Sequence, residues 1–327
     1  MILITGGAGY IGSHTAAELD KKQIIIFDNF TSGNKRVVKL LGCKFIDGDL
    51  SNLKLLNLIF RKYKIDSVMH FAASSLVGES QSNPFKYYKN NVINGLNLIH
   101  TMVKNDVKCL IFSSTASVYG NPVKIPIDEH HPTQPTNNYG ITKLIFEKIL
   151  RYYDVNLGLK FVSLRYFNAA GGHPNGIYGE DHKNETHLIP VVLQAALGKL
   201  KHVKIFGTNY PTKDGTCIRD YIHVTDLAQA HILARERLKN SDKSVIYNLG
   251  NEKGFSVREV INRCVRITNK RVIVKEACRR QGDPPILVAS SRKIKKELRW
   301  KPNYSSLDYI IESAWKWQRK NPNGYKN

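Results

Sequence analysis

The chain opens with an apolar run, Ile2–Thr5, that passes directly into the glycines at positions 6, 9 and 12 of TGGAGYIG. This arrangement restricts the fold more than any other feature. It suits a strand, a tight turn and a helix whose amino terminus faces a phosphate. Gly6 permits the turn, Gly9 lets the backbone approach a pyrophosphate, and Gly12 allows the helix to pack close to the strand. A glycine loop alone is a weak signal. Here a second apolar run, Ile24–Asp28, ends in an acid where a dinucleotide fold holds ribose hydroxyls. A carboxylate there repels a 2′-phosphate, which favours NAD over NADP; the other reading of Asp28 is a turn residue before Asn29. Asp49, in Asp47-Gly48-Asp49-Leu50, fits either an adenine contact or a helix cap for Ser51 onward.

Apolar runs alternate with longer mixed segments through the first half. Strands are expected over Ile2–Thr5, Ile24–Asp28, Lys44–Ile46, Ser67–Phe71, Lys108–Ser113 and Lys160–Arg165. Helices are expected over Ile11–Leu19, Leu53–Tyr63, Asn91–Val103 and Tyr139–Tyr153. This alternation indicates an α/β fold, a doubly wound parallel Rossmann sheet. Beyond Gly171 the pattern loosens, and a further apolar strand, Val245–Leu249, is expected to return to the first sheet. The expected organisation is an NAD-binding domain over 1–170, with about 222–250 returning to it, and a smaller α/β substrate-binding lobe over 171–327. The connection Leu19-Asp20-Lys21-Lys22-Gln23 lacks the glycine cap that commonly ends a helix.

The chemistry is expected at NNYGITK, where Tyr139 and Lys143 lie four residues apart and so share one helix face. A free phenol has a pKa of ~10. A nearby ammonium favours the phenolate, making the pair a general acid/base suited to hydroxyl proton transfer during hydride transfer.

With 327 residues and 42% hydrophobic composition there is material for two domains and a cleft. Cys43, Cys109, Cys217, Cys264 and Cys278 are odd in number and contain no Cys-x-x-Cys, which fits reduced thiols in a cytoplasmic protein rather than a disulfide framework or zinc site. No metal ligands are assigned: His130-His131 are adjacent and set among prolines. No apolar run suits a membrane span, and the strand beginning at Ile2 leaves no room for a signal peptide. The net charge of +22 is densest over Arg258–Lys301, with fourteen Lys/Arg against four Asp/Glu. That stretch lacks aromatic interleaving and any helix-turn-helix or zinc signature, so it reads as a solvated surface and not as a nucleic-acid interface.

TGGAGYIG, HFAASSLVGES, FSSTASVYG, YGITK, RYFNAAG, DGTCIRDYIHVTDLA, YNLGN and RRQGDPP occur in this order. Together they resemble the extended short-chain dehydrogenases, over essentially the whole chain. The resemblance implies bound NAD, a UDP-sugar substrate, and reversible epimerisation of UDP-galactose and UDP-glucose at carbon 4 through a 4-keto sugar. UDP-N-acetylhexosamines or another UDP sugar are alternative substrates, and a non-catalytic nucleotide sensor is a rival from another class. Dehydratases and decarboxylases of this fold carry acids where this chain has Ala116 and Ser117, which favours hydride and proton transfer alone. Thr115 takes the family's catalytic Ser/Thr position. Cofactor contacts are implied for Gly6, Gly9, Tyr10, Ile11, Gly12, Asp28, Asn29, Asp49, Leu50, Phe71, Asn90, Tyr139, Lys143 and Phe167. Substrate contacts are implied for Thr115, Asn168, Phe206, Arg219, Arg280 and Asp283, the two arginines on the diphosphate. Two positions depart from the pattern: Ser75, a lysine in some members, and Leu287, at a gate where tyrosine narrows and cysteine widens the sugar pocket. A homodimer packed through helices of the first domain is also implied.

Overall fold

Aliphatic runs with no polar alternation need cover on both faces, the condition of a parallel sheet between helix layers. The computed structural model describes residues 1–280 and 282–325. In the first half these runs form β1 (Ile2–Thr5), β2 (Ile24–Asp28), β3 (Lys44–Asp47), β4 (Ser67–His70), β5 (Cys109–Thr115) and β6 (Lys160–Tyr166). The helices among them are α1 (Tyr10–Ala17), α2 (Lys35–Leu41), α3 (Leu53–Lys62), α4 (Val77–Ser82), α5 (Pro84–Tyr87), α6 (Asn94–Lys104) and α7 (Asn138–Leu157). The second half contributes β7 (Asn168–Ala170), α8 (Leu188–Ala196), β8 (Val203–Phe206), β9 (Ile218–His223), α9 (Val224–Lys239) and β10 (Val245–Leu249). After these come β11 (Gly254–Ser256), α10 (Val257–Thr268), β12 (Val274–Ala277), β13 (Ile286–Leu287), α11 (Arg292–Leu298) and α12 (Leu307–Lys320).

The main sheet is seven-stranded, in the order β10-β6-β5-β4-β1-β2-β3, and parallel throughout. The order reverses between β1 and β4, which opens a crevice at their carboxyl ends. There Thr5 and His70 are register partners, joined by a 2.7 Å hydrogen bond between Oγ1 and Nδ1. Val245–Leu249 reaches the far edge because α9 carries the chain across one face, packed on α1, β5 and β6. Apolar clusters cover both faces of the sheet. A third lies under α8, α10 and α12 in the second half, where β9 pairs with β7, β11 and β13, and β8 pairs with β12.

Several boundaries differ from the sequence pattern, each for a local reason. The first helix ends at Ala17 rather than Leu19. Asp20 then accepts a hydrogen bond from Lys22 N and closes a short 3₁₀ turn in place of a glycine cap. The helix expected from Asn91 begins as a π turn over Tyr88–Ile93 before becoming α6. Asn91 explains the wide turn: it accepts from Ser74 N at 2.8 Å and donates to Ser74 O at 3.0 Å and Thr142 Oγ1 at 3.1 Å. β4 stops at His70, while β5 runs on to Thr115 and brings that residue into the sheet edge. Helix α7 is longer than the expected Tyr139–Tyr153. Asn137 caps its start by accepting from Gly140 N, and Gly158 ends it in the left-handed conformation.

Candidate active site

The nucleotide end is shaped by what glycine leaves out. Gly6 has φ of 72°, and a Cβ there would lie 2.4 Å from Ala72 N. A Cβ on Gly12 would lie 2.4 Å from Gly6 O, so this glycine is needed for the loop itself as well as for helix packing. Gly9 is the N-cap of α1 and, among the described residues, no side chain caps that end, so the helix's first N–H groups, from Tyr10 and Ile11 onward, suit an anion. Tyr10's own ring turns inward, its hydroxyl donating to Gly171 O at 2.6 Å.

Asp28 is the turn residue that the sequence offered as one reading. Its Oδ1 accepts from Phe30 N at 2.8 Å and its Oδ2 from Ala8 N at 2.9 Å. Burial raises its pKa, and the two N–H bonds offset this only in part. A buried carboxyl with lone pairs left over and no Lys or Arg partner among the described residues suits hydroxyl donors and disfavours phosphate. The loop and this acid therefore fit a dinucleotide.

Asn29 donates to Asp49 Oδ2 at 2.5 Å, and Asp49 Oδ1 accepts from Ser51 N at 2.8 Å. Asp49 is thus a turn former and not the cap of α3, a role taken by Asn52. Leu50 is buried in the core, Phe71 packs 4.7 Å from the His231 ring, and Asn90 donates to Ser74 Oγ at 3.2 Å. Phe167 is buried against Ala116 and Val118, with its N–H donating to Leu249 O at 3.1 Å.

Tyr139 and Lys143 lie in the first two turns of α7. Lys143 is 3% exposed and donates to Ser113 O at 2.8 Å, with Nζ 4.9 Å from the Phe112 ring centroid and 5.9 Å from that of Tyr139. Thr115, at the end of β5, accepts from Ser117 N at 3.1 Å. The sequence has the ammonium draw the phenol down; in this structure burial is the larger influence on it. Burial pushes Tyr139 up to about 12, with the Thr115 hydroxyl offsetting part of the rise. Burial also draws Lys143 down to about 7 against the holding effect of Glu147. Both neutral forms gain for one reason: desolvation disfavours phenolate and ammonium alike, and the Lys143 hydrogen bond to Ser113 O works against it.

Glu147 and Arg165 form a buried pair at 2.5 Å beneath this helix. Glu147 also accepts from the hydroxyls of Ser114 at 2.6 Å and Ser163 at 2.8 Å, tying α7 to β5 and β6. The sequence reading missed Glu147, although it lies one turn beyond Lys143 on the same helical face.

At the substrate end, Arg219 NH2 forms a short ion pair with Asp283 Oδ1, and NH1 donates to Ile218 O at 2.8 Å. The expected phosphate ligand and the expected ribose ligand thus hold each other. The Arg280 guanidinium lies 4.2 Å from the Phe206 ring centroid, and Asn168 begins β7 opposite Tyr221. Leu287 is the register partner of Arg219 and packs on the cluster of Ala116, Val118, Tyr119 and Phe167. Ser75 is exposed. Gln281 of RRQGDPP lies outside the described residues.

A second constellation, read by no sequence argument above, gathers Glu180, His182, Glu185 and His187. Its signal was the spacing Glu-x-His-x-x-Glu-x-His. His187 is half exposed, and against its partial desolvation the carboxylates of Glu180 and Glu185 hold it up at about 9. Among the described residues, no helix is long and apolar enough to cross a membrane.

Residues 2–250 match the family described as the NAD dependent epimerase/dehydratase family. The chain is 52% identical over 326 residues to UDP-glucose 4-epimerase of Halalkalibacterium halodurans, covering 99% of this chain and 97% of that one. It is similar to the solved structure of UDP-glucose 4-epimerase from Bifidobacterium longum in complex with NAD+ and UDP, with TM-score 0.93, 41% identity and 99% coverage of each chain. It is also similar to the structure of the UDP-Glc/GlcNAc 4-epimerase from Campylobacter jejuni, with TM-score 0.85 and 42% identity, covering 98% of this chain and 99% of that one.

Proposed function

The chain belongs to the NAD dependent epimerase/dehydratase family, and from that premise we propose that it interconverts UDP-galactose and UDP-glucose at sugar carbon 4, with NAD as its cofactor. The observation that carries this reading is the placement of Tyr139 and Lys143 on one face of α7, with Lys143 bonded to the carbonyl of Ser113 near the Thr115 end of β5. The uncapped α1 and the buried Asp28 lie at the carboxyl ends of the neighbouring strands.

In this reading the loop Gly6, Gly9, Tyr10, Ile11 and Gly12 holds the pyrophosphate, Asp28 and Asn29 hold the adenine ribose, and Asp49 and Leu50 flank the adenine. Phe71, Asn90, Lys143 and Phe167 hold the nicotinamide end. Arg219 and Arg280 take the substrate diphosphate, Asp283 the uridine ribose, and Asn168 and Phe206 the rest of the nucleotide sugar. NAD held there would supply the hydride acceptor and donor that a reversible oxidation at sugar carbon 4, through a 4-keto form, requires.

Tyr139 Oη removes the 4-hydroxyl proton and later gives one back, and Thr115 Oγ1 orients that hydroxyl. A phenol held near 12 keeps its proton at rest, so its ionisation needs positive charge beside it. Lys143, near 7, is poised to supply that charge in its ammonium form. Because Arg219 and Asp283 are paired with each other, the diphosphate and ribose must share or displace that pair on binding.

Residues 1–170 with 222–250 are proposed as the NAD-binding domain and 171–327 as the UDP-sugar domain. Supporting this, α9 packs on the main sheet and β10 pairs within it. A homodimer through helices of the first domain has its support in Ile93, Tyr152 and Val155, apolar side chains 52%, 73% and 83% exposed on the π turn and α7. A cytoplasmic setting is supported by five cysteines that are all free. Acceptance of UDP-N-acetylhexosamines is a second reading, favoured by Leu287, which lacks a tyrosine's bulk at the gate; a panel of UDP sugars tests it.

The main reading is tested by giving the purified protein UDP-galactose with no added NAD and following sugar nucleotides by NMR. Conversion to an equilibrium mixture with UDP-glucose supports both substrate and retained cofactor. No conversion even with NAD supplied would overturn the substrate assignment.

A further inference from the structure

The segment between β7 and α8 turns four ionisable side chains toward one point. His182 Nδ1 lies 3.2 Å from Glu185 Oε2 and 3.4 Å from Glu180 Oε1. His187 Nδ1 contacts Glu180 Oε1 and lies 3.8 Å from Glu185 Oε1. One ligand-type atom from each residue falls within 4.8 Å of all the others. A tetrahedral ion with ~2.0–2.2 Å bonds to imidazole and carboxylate requires donor atoms about 3.3–3.6 Å apart, close to the two separations from His182 Nδ1.

The charge points the same way. The Glu180 and Glu185 side chains are each 5% exposed and form ion pairs with histidines alone among the described residues. Two buried carboxylates facing each other require compensation, and two neutral imidazoles with one divalent cation give a neutral set. Glu185 is also held from behind, since its Oε1 accepts from the N–H groups of Thr186 and His187 at 2.8 Å each, leaving Oε2 toward the centre. Backbone support of this kind fixes a ligand's orientation.

We propose that Glu180, His182, Glu185 and His187 bind one divalent cation of the zinc class, through two imidazole Nδ1 atoms and two carboxylates. Four protein ligands make it a structural site and not a reaction centre. Its position gives it a task. The His182 ring stands edge-on to Tyr10 with centroids 6.2 Å apart, and the Tyr10 hydroxyl is bonded to Gly171 O. His187 is the N-cap residue of α8. The ion would clamp the segment 171–187 between the glycine loop and α8, tying the second lobe to the nucleotide end.

The test uses the full-length holoprotein purified without chelators, its metal content measured, then stripped and titrated with Zn2+ against a chromophoric competitor. The expected result is one zinc per chain and a melting temperature raised by several degrees when zinc is restored. Co2+ in its place should give the intense visible bands of tetrahedral coordination. His182→Asn and Glu185→Gln should each weaken zinc roughly 100-fold or more and abolish the thermal response. Bound-NAD absorbance and far-ultraviolet circular dichroism serve as the folding control for both variants. Zinc that binds below one per chain, that leaves the melting temperature unchanged, or that binds either folded variant as it binds the parent would overturn the proposal and leave a histidine–glutamate ion network.

Discussion

At the proposed nucleotide end, Gly6, Gly9 and Gly12 keep side chains away from the start of α1, and Asp28 is the nearby charged side chain bonded to that loop. At the proposed substrate end, Arg219, Arg280 and Asp283 come from two segments some sixty residues apart and present charged side chains. The first end is set by sterics: a Cβ on Gly6 or Gly12 would lie 2.4 Å from backbone atoms, whereas one on Gly9 would meet Gly6 O at 3.3 Å. The second is set by electrostatics: Arg219 and Asp283 hold each other there, and a diphosphate taken by Arg219, as proposed, would rearrange that pair. A backbone-built site should therefore fail abruptly on substitution, and a charge-built one by degrees.

The largest expected effect comes from Gly12→Val, which puts side-chain atoms where a Cβ alone already lies 2.4 Å from Gly6 O. Bound NAD should fall to near zero, and activity without added NAD should disappear. If the variant kept stoichiometric NAD, measured by absorbance after denaturation, the steric account of this end would be wrong. Tyr139→Phe, between the two ends, should keep its NAD and lose turnover by ~10²–10⁴-fold, the usual contribution of a general acid/base. Near-normal kcat would remove Tyr139 from that role.

Arg219→Ala should act by degrees, raising KM for UDP-galactose by ~10–100-fold through loss of a charge-assisted contact worth about 1.5–3 kcal/mol. NAD content should stay unchanged, because Arg219 pairs with Asp283 and belongs to the other end. An equal loss of NAD would merge the two ends into one unit.

The smallest effect at neutral pH, visible only on acidification, concerns the scaffold under both ends. His14, His70 and His223 are drawn by burial down to about 3, and His231 to about 4. Below ~6.5 the unfolded chain takes up protons that the folded chain refuses, so stability rises with pH across this window. The contribution is fully present above ~6.5 and is lost as pH falls toward about 3 to 4. Thermal melts should drop by at least ~5 °C between pH 6.5 and 4.5; a flat profile would mean these rings are solvated.

Much of the first lobe was legible because its signals are local. Ile2–Thr5, Ile24–Asp28 and Val245–Leu249 are strands with the bounds their apolar runs mark. The π turn at Tyr88–Ile93 was not legible, since it depends on Asn91 reaching Ser74 and Thr142. The Glu180–His187 cluster was passed over because four polar residues in a loop look like solvated surface until their side chains are seen to converge.

The sequence by itself determined the parallel sheet, the glycine turn, the acid closing β2 and the shared helical face of Tyr139 and Lys143. Each follows from sterics or spacing within a few residues, where backbone geometry leaves little choice. Only the tertiary structure decided that burial raises Tyr139 and lowers Lys143, that Arg219 is taken by Asp283, and that Glu147 anchors α7 on Arg165. These are matters of desolvation and Coulomb interaction. They depend on distances between residues far apart in the chain, which spacing in sequence does not encode.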